Sequence, residues 1–169
     1  MEAPSATAQA DFSPAAVHRL DRNTTGALAV ALRRDALRRL ESLFKERRVT
    51  KRYLAIVVGR VPELGEVDAP LLKDAAANTV RVDRGGKSAL TRFRRLAGDE
   101  KLSLVSIDLL TGRTHQARVH MAHAGFPILG DRKYGCFEAN RRWAERVRRS
   151  LLHAAPLKLI PKIPKGKSR

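Results

Sequence analysis

The run Tyr53-Leu54-Ala55-Ile56-Val57-Val58 constrains this chain more than any other feature. It is apolar without interruption, ends in β-branched residues, is too short for a buried helix, and is broken off by Gly59, Pro62 and Gly65, so it reads as a buried strand followed by a loop. A chain that contains it must build a sheet around it. Upstream, Ala27 to Leu32 is a shorter apolar run that reads as a second buried strand. Between them, from Arg33 to Arg48, apolar residues fall at Ala36, Leu37, Leu40, Leu43 and Phe44, the three-and-four spacing of an amphipathic helix with a basic outer face. The opening is therefore strand, helix, strand.

Downstream, Thr79 to Val82 and Ser88 to Leu96 flank Asp83-Arg84-Gly85-Gly86, which predicts a hairpin. Leu102 to Leu109 alternates apolar with polar, as a half-buried strand does. Thr114 is placed to cap a helix from His115 to about Ala124, stopped by Gly125 with Pro127 beyond. A third helix is expected over Glu138 to Arg149. Residues Met1 to Ala16, rich in Ala, Ser, Thr and Pro, read as a flexible leader, with order from Val17. Lys158 to Arg169 reads as a solvated basic tail, which leaves one domain over 17–157. At 169 residues the chain is long enough for one core.

Charge narrows the function. Lys and Arg number 34 against 17 Asp and Glu, a formal +17, which attracts polyanions and makes nucleic acid the first partner to consider. Aromatic residues are only 5% of the chain, too few for a protein that grips single strands mainly by stacking. Cys136 stands alone, so neither a disulfide framework nor a multi-cysteine zinc site can form. No apolar run approaches the roughly 18 residues of a membrane span, and Met1 to Pro14 lacks the layout of a signal peptide. The expected location is the cytoplasm.

Two segments concentrate unusual polar residues: His18-Arg19-Leu20-Asp21-Arg22-Asn23-Thr24-Thr25-Gly26 and Thr111-Gly112-Arg113-Thr114-His115-Gln116. Asp21 lies between two arginines, whose charges favour its ionised form. An ionised carboxylate serves as a base, as a nucleophile at a sugar carbon, or simply as one half of a surface ion pair. Arg113, where a strand turns into a helix, can meet a carboxylate or a phosphate. Spacing alone does not bring Asp21 and Arg113 together.

The first segment resembles the His-Arg-Leu-Asp motif of RluA-type RNA pseudouridine synthases. Lys51-Arg52-Tyr53-Leu54-Ala55 through Gly59 is similar to that family's tyrosine strand, and Thr111 to His120 to its arginine block. Gly125-Phe126-Pro127-Ile128-Leu129-Gly130-Asp131, Tyr134-Gly135 and Leu152-His153-Ala154 continue the match in order, so that it covers roughly Val17 to Leu157. The resemblance implies an α+β fold around a mixed, largely antiparallel central sheet with flanking helices. It implies that uridine within ribosomal or transfer RNA becomes pseudouridine without metal or organic cofactor. It also implies roles: Asp21 as the essential carboxylate, Tyr53 as the ring beside the uracil that helps remove the C5 proton, and Arg113 as the partner of Asp21. Arg19, Arg22 and Arg118 are expected on the RNA backbone.

Family members usually carry strands with a Lys-Pro segment before the Asp motif, and many an S4 domain before those; this sequence has neither, so the expectation is a shortened catalytic domain. Two rival readings share the residues. One is an RNA-binding protein that keeps the fold and performs no chemistry; the other is a metal hydrolase built on His115, His120 and His123. If Arg19 contacts RNA at the reacting nucleotide, Arg19→Ala should weaken RNA binding more than Arg39→Ala on the helix face. Equal losses in a filter-binding assay would refute that placement.

Overall fold

A computed structural model describes residues 12–160. In chain order it contains β1 (Ala15–Ala16), β2 (Thr25–Gly26), β3 (Val30–Ala31), α1 (Arg34–Lys45), β4 (Val49–Val58), β5 (Leu64–Asp68), β6 (Leu71–Asp74) and β7 (Thr79–Val82). Then follow β8 (Leu90–Gly98), β9 (Leu102–Leu109), α2 (Gln116–His123), α3 (Phe137–Arg142), β10 (Leu152–Ala154) and β11 (Lys158–Leu159). The central sheet runs β2-β10-β4-β9-β8-β5, with β11 also on β4. Every pairing in it is antiparallel except β2 with β10. This is the mixed, largely antiparallel α+β architecture expected.

The Tyr53 run lies in β4, at the middle of the sheet, where β9 pairs it over eight residues from Lys51↔Leu109 to Val58↔Leu102. Only alternate residues are enclosed: Ala55 and Val57 join Val105, Ile107 and Phe93 in a core that α2 closes with Ala117 and Met121. On the other face Leu54 and Leu104 stay 37% and 36% exposed, so β4 is covered from one side among the described residues.

Four local expectations are corrected. Ala27 to Leu32 is not a buried strand: β2 joins β10, then the chain leaves the sheet to pair Val30–Ala31 with β1, a two-stranded ribbon that buries Ala31 and leaves Leu32 71% exposed. The Asp83–Gly86 turn does not close a hairpin, because β7 pairs back onto β6 while β8 lies between β5 and β9. Its second glycine serves a close approach instead: a Cβ on Gly86 would stand 2.4 Å from the Leu71 carbonyl carbon, where Lys87 bridges to Leu71. Thr114 caps nothing; His115, left-handed at φ 53°, occupies the N-cap of α2. The third helix stops at Arg142: the Ala144 N–H turns to the Arg141 carbonyl at 3.3 Å, a three-residue turn in place of a helical bond, and residues 143–146 continue as turns.

Paired structure also reaches beyond 17–157 at both ends, through β1 and β11. The remainder of the expected leader, residues 1–11, and of the expected tail, residues 161–169, lies outside the described residues.

Polar groups lock α2 to the sheet. His120 is fully buried; its Nε2 lies 2.9 Å from the Ala69 carbonyl and must carry the proton, which leaves Nδ1 to accept from Thr91 Oγ1 at 2.9 Å. Burial pushes its pKa below the ordinary 6.5, as it does for His18 and His115. A depressed histidine stabilises the fold fully above its unfolded value and less as pH falls through that value, because the unfolded chain takes up protons the folded one rejects. Urea-unfolding midpoints should therefore be flat above about pH 7 and decline toward pH 5, with a shallower decline in His120→Gln. An identical decline in that variant would exclude His120 as a contributor.

Candidate active site

The loop that carries Asp21 is fixed at both ends. On one side the His18 ring stacks on Phe44 of α1, ring centroids 5.3 Å apart, and its Nε2 accepts the Ala29 N–H at 3.0 Å. At its tip the Thr24 N–H donates to the Asp21 carbonyl at 2.9 Å, and Asn23 takes the left-handed conformation at φ 72° that asparagine tolerates. On the other side β2 adds to β10, where Gly26 is obligatory: at φ 122° its Cβ would stand 2.1 Å from the Ala154 carbonyl oxygen.

The side chain that meets Asp21 is Arg118, from α2. One terminal nitrogen lies 3.6 Å from Asp21 Oδ2, while Nε and the other terminal nitrogen form a bidentate pair with Asp131 at 2.7 and 2.8 Å. Asp131 is 1% exposed in its side chain, and its Oδ1 also accepts the backbone N–H groups of Lys133 and Tyr134. Burial works against its charge, but the Arg118 fork and those N–H donors prevail and hold its pKa below the usual carboxylate value. Arg118 behaves in parallel: burial disfavours its charge, and Asp131 first, then Asp21, outweigh it. The guanidinium also rests over the Tyr134 ring, 4.9 Å from its centroid. Tyr134 Oη accepts the Val80 N–H at 3.0 Å and lies 2.7 Å from His115 Nδ1, so the ring beneath Arg118 is held from two directions.

Arg113 does not contact Asp21. Its Nε donates to the Ser88 carbonyl at 2.9 Å, and among the described residues its two terminal nitrogens have no protein partner. The loop bearing it is shaped by Gln116, whose Oε1 accepts Thr111 Oγ1–H at 2.8 Å and the Arg113 N–H at 2.9 Å, while its amide nitrogen donates to the Leu90 carbonyl. The contact with Asp21 implied for Arg113 is thus made by Arg118. Arg118, expected on RNA, is 11% exposed and committed to carboxylates, whereas Arg113, expected on Asp21, presents a free guanidinium edge.

Asp21, Tyr53 and Arg113 nevertheless line one cleft of about 270 Å³, with Arg19 at its wall. Arg22 is exposed beside it on the Asp21 loop. Burial, and then the charge of Asp21, push the Tyr53 phenol above its ordinary pKa of 10, so it is protonated at neutral pH. No described side chain hydrogen-bonds its hydroxyl, which leaves it free for a ligand. The three histidines of the metal reading diverge: His115 turns to Tyr134, His120 is spent on Thr91 and Ala69, and His123 is exposed.

The resemblance gives Asp131 and Tyr134 no role beyond their place in the matching blocks. The available signal was an acid directly after the apolar Ile128-Leu129-Gly130, a placement that buries a charge and so demands a partner.

The RNA pseudouridylate synthase family profile matches residues 2–123. The ribosomal large subunit pseudouridine synthase C of Vibrio cholerae is 43% identical over 146 residues, which is 85% of this chain and 46% of that protein. The tRNA pseudouridine synthase C of Haemophilus ducreyi is 39% identical over 153 residues, 82% of this chain and 63% of that protein. Among solved structures, human RNA pseudouridylate synthase domain containing 1 superposes with a TM-score of 0.79 at 32% identity, over 89% of this chain and 65% of that one. The chain spans about half the length of most of the curated relatives it matches.

Removing one member of a buried, bidentate ion pair leaves the other charge uncompensated, at a cost of roughly 3–5 kcal/mol. Asp131→Ala should lower unfolding stability by about that much and release Arg118 from its fork. Arg22→Ala, on the exposed loop, should change stability by less than about 0.5 kcal/mol. Comparable losses in the two variants, read from urea-unfolding curves, would mean the pair does not anchor the site.

Proposed function

The chain belongs to the RNA pseudouridylate synthase family, RluA type, and on that footing we propose that it isomerises uridine within ribosomal or transfer RNA to pseudouridine, with Asp21 as the reacting carboxylate. The observation that carries this reading is the setting of Asp21: a carboxylate on a doubly anchored loop, countered on one side by Arg118 and open on the other to a cleft that also holds Tyr53.

The reaction breaks the N1–C1′ bond, turns the uracil, joins C5 to C1′, releases the C5 proton and returns a proton to N1. Electrons balance without an oxidant or reductant, so the chemistry calls for no redox cofactor. Asp21 supplies the negative charge at the reacting sugar or base. Arg118 steadies that charge without covering it, because two of its three nitrogens belong to Asp131. Tyr53 gives the uracil a ring to lie against and enters the reaction as a phenol, since its proton is held more tightly than usual.

A uridine within a helix is out of reach of this cleft, so it has to be extruded, at a cost of a few kcal/mol that backbone contacts must offset. Arg19, Arg22 and Arg113 supply cations around the opening, and the net +17 supplies long-range attraction. We assign the work to the cytoplasm, where such RNAs and the lone reduced cysteine belong.

The direct test uses transcripts of large-subunit ribosomal RNA and transfer RNA labelled with tritium at uracil C5. The intact chain should release tritium, and Asp21→Asn should reduce release to background while retaining RNA binding. Undiminished release from the variant would sink the assignment; binding without release by the intact chain would favour the non-catalytic reading.

A further inference from the structure

A second and larger hollow, about 850 Å³, lies beside the catalytic cleft and shares Lys51, Leu109, Gly112 and Arg113 with it. It runs from the end of α1 across the outer ends of β8 and β9. Two acids reach it, Asp68 and Asp108, and Asp108 is taken by Arg52 in a bidentate pair at 2.7 and 2.9 Å. Against them stand Lys45, Arg47, Lys51 and the free edge of Arg113. The groove is basic, and it opens into the site of the reaction.

Two of its cations sit where stability alone would not put them. Lys51 is half-buried at the wall between groove and cleft; its amine lies 5.3 Å from the Phe44 ring centroid and has no carboxylate within 4.0 Å among the described residues. Gly112 makes room for it, since a Cβ there would come within 2.6 Å of the amine. Arg47 follows α1 in the left-handed conformation at φ 55°, a position at a helix end that favours glycine, and it is exposed with no acidic partner among the described residues. A cation desolvated without a counter-ion and another on a strained backbone both fit an anion that arrives with the ligand.

We propose that this groove carries the RNA strand leaving the reacting nucleotide, with the Lys51 amine on a phosphate next to the extruded uridine and Arg47 on one further along. The proposal rests on the reading of the cleft as a pseudouridylation site. Phosphodiester chemistry fits because the track is continuous, basic and wide, and because Lys51 acts as a point charge on a phosphate rather than as a bidentate reader of bases.

The test measures filter binding of the large-subunit ribosomal RNA transcript between 50 and 300 mM salt. All proteins carry Asp21→Asn, so that binding is read without turnover. Lys51→Gln should weaken binding about tenfold and reduce the slope of log affinity against log salt by about one phosphate's worth, while Lys51→Arg restores the slope. In chains that keep Asp21, Lys51→Gln should raise KM with kcat within about twofold. Arg47→Gly should raise the melting temperature, because glycine relieves the left-handed backbone, and yet weaken RNA binding; a purely structural Arg47 would give only the first effect. An unchanged slope in Lys51→Gln, with tritium release intact in the parent chain, overturns the groove and leaves the reaction standing. A reduced slope with no tritium release in the parent chain supports the phosphate contact and overturns the reaction.

Discussion

One guanidinium organises this molecule. Arg118 projects from α2 into a fork on Asp131, and from that fixed position it offers its remaining nitrogen to Asp21. Three segments far apart in sequence, the Asp21 loop, α2 and the turn after Gly130, are thereby held by one charge. Such an arrangement is stable only because Asp131 is itself satisfied by two backbone N–H groups, so that a nearly inaccessible carboxylate is fully hydrogen-bonded. Asp21 needs no comparable set of donors. Its charge is balanced at 3.6 Å and left 22% exposed, which suits the reacting role proposed for it.

The sheet determines where that charge sits. Because β4 runs through its middle, Tyr53 on β4 and Leu109 on β9 line the same cleft from adjacent strands, and Ala154 on β10 borders it from the other side. Parallel addition of β2 to β10 then aims the Asp21 loop at this point, and Gly26 permits the close approach on which the aim depends. The directed bonds from Thr111 and Arg113 through Gln116 to Leu90 do the same for the opposite wall. One wall therefore hangs on backbone pairing of the sheet and the other on the side chain of Gln116, which is itself buried.

The sequence made the centre of this legible and the periphery less so. A continuous apolar run bounded by glycine and proline is a strand almost regardless of context, and the periodicity of α1 is equally local. Strand pairing is not local: the Asp83–Gly86 turn carries the residues of a hairpin, but the partner of β7 was decided by the packing of Leu71 and Val80 with Val119 of α2. The two arginines show the same limit. Arg113 and Arg118 are five residues apart and chemically identical, and only the bend at left-handed His115 turns one inward to Asp131 and the other outward.

That division follows from electrostatics. A cation that fixes the geometry of a reacting carboxylate must be neutralised within the protein, or the strain of its desolvation would loosen the site before any RNA arrived. A cation that binds the RNA backbone must instead keep its capacity unspent until a phosphate supplies the counter-charge. Arg118, between two aspartates, meets the first requirement. Lys51 and Arg113, each without a carboxylate among the described residues and both on the wall shared by the two hollows, meet the second. On the proposed function, these two cations keep their charge for a phosphate at the wall where an extruded nucleotide would enter the cleft.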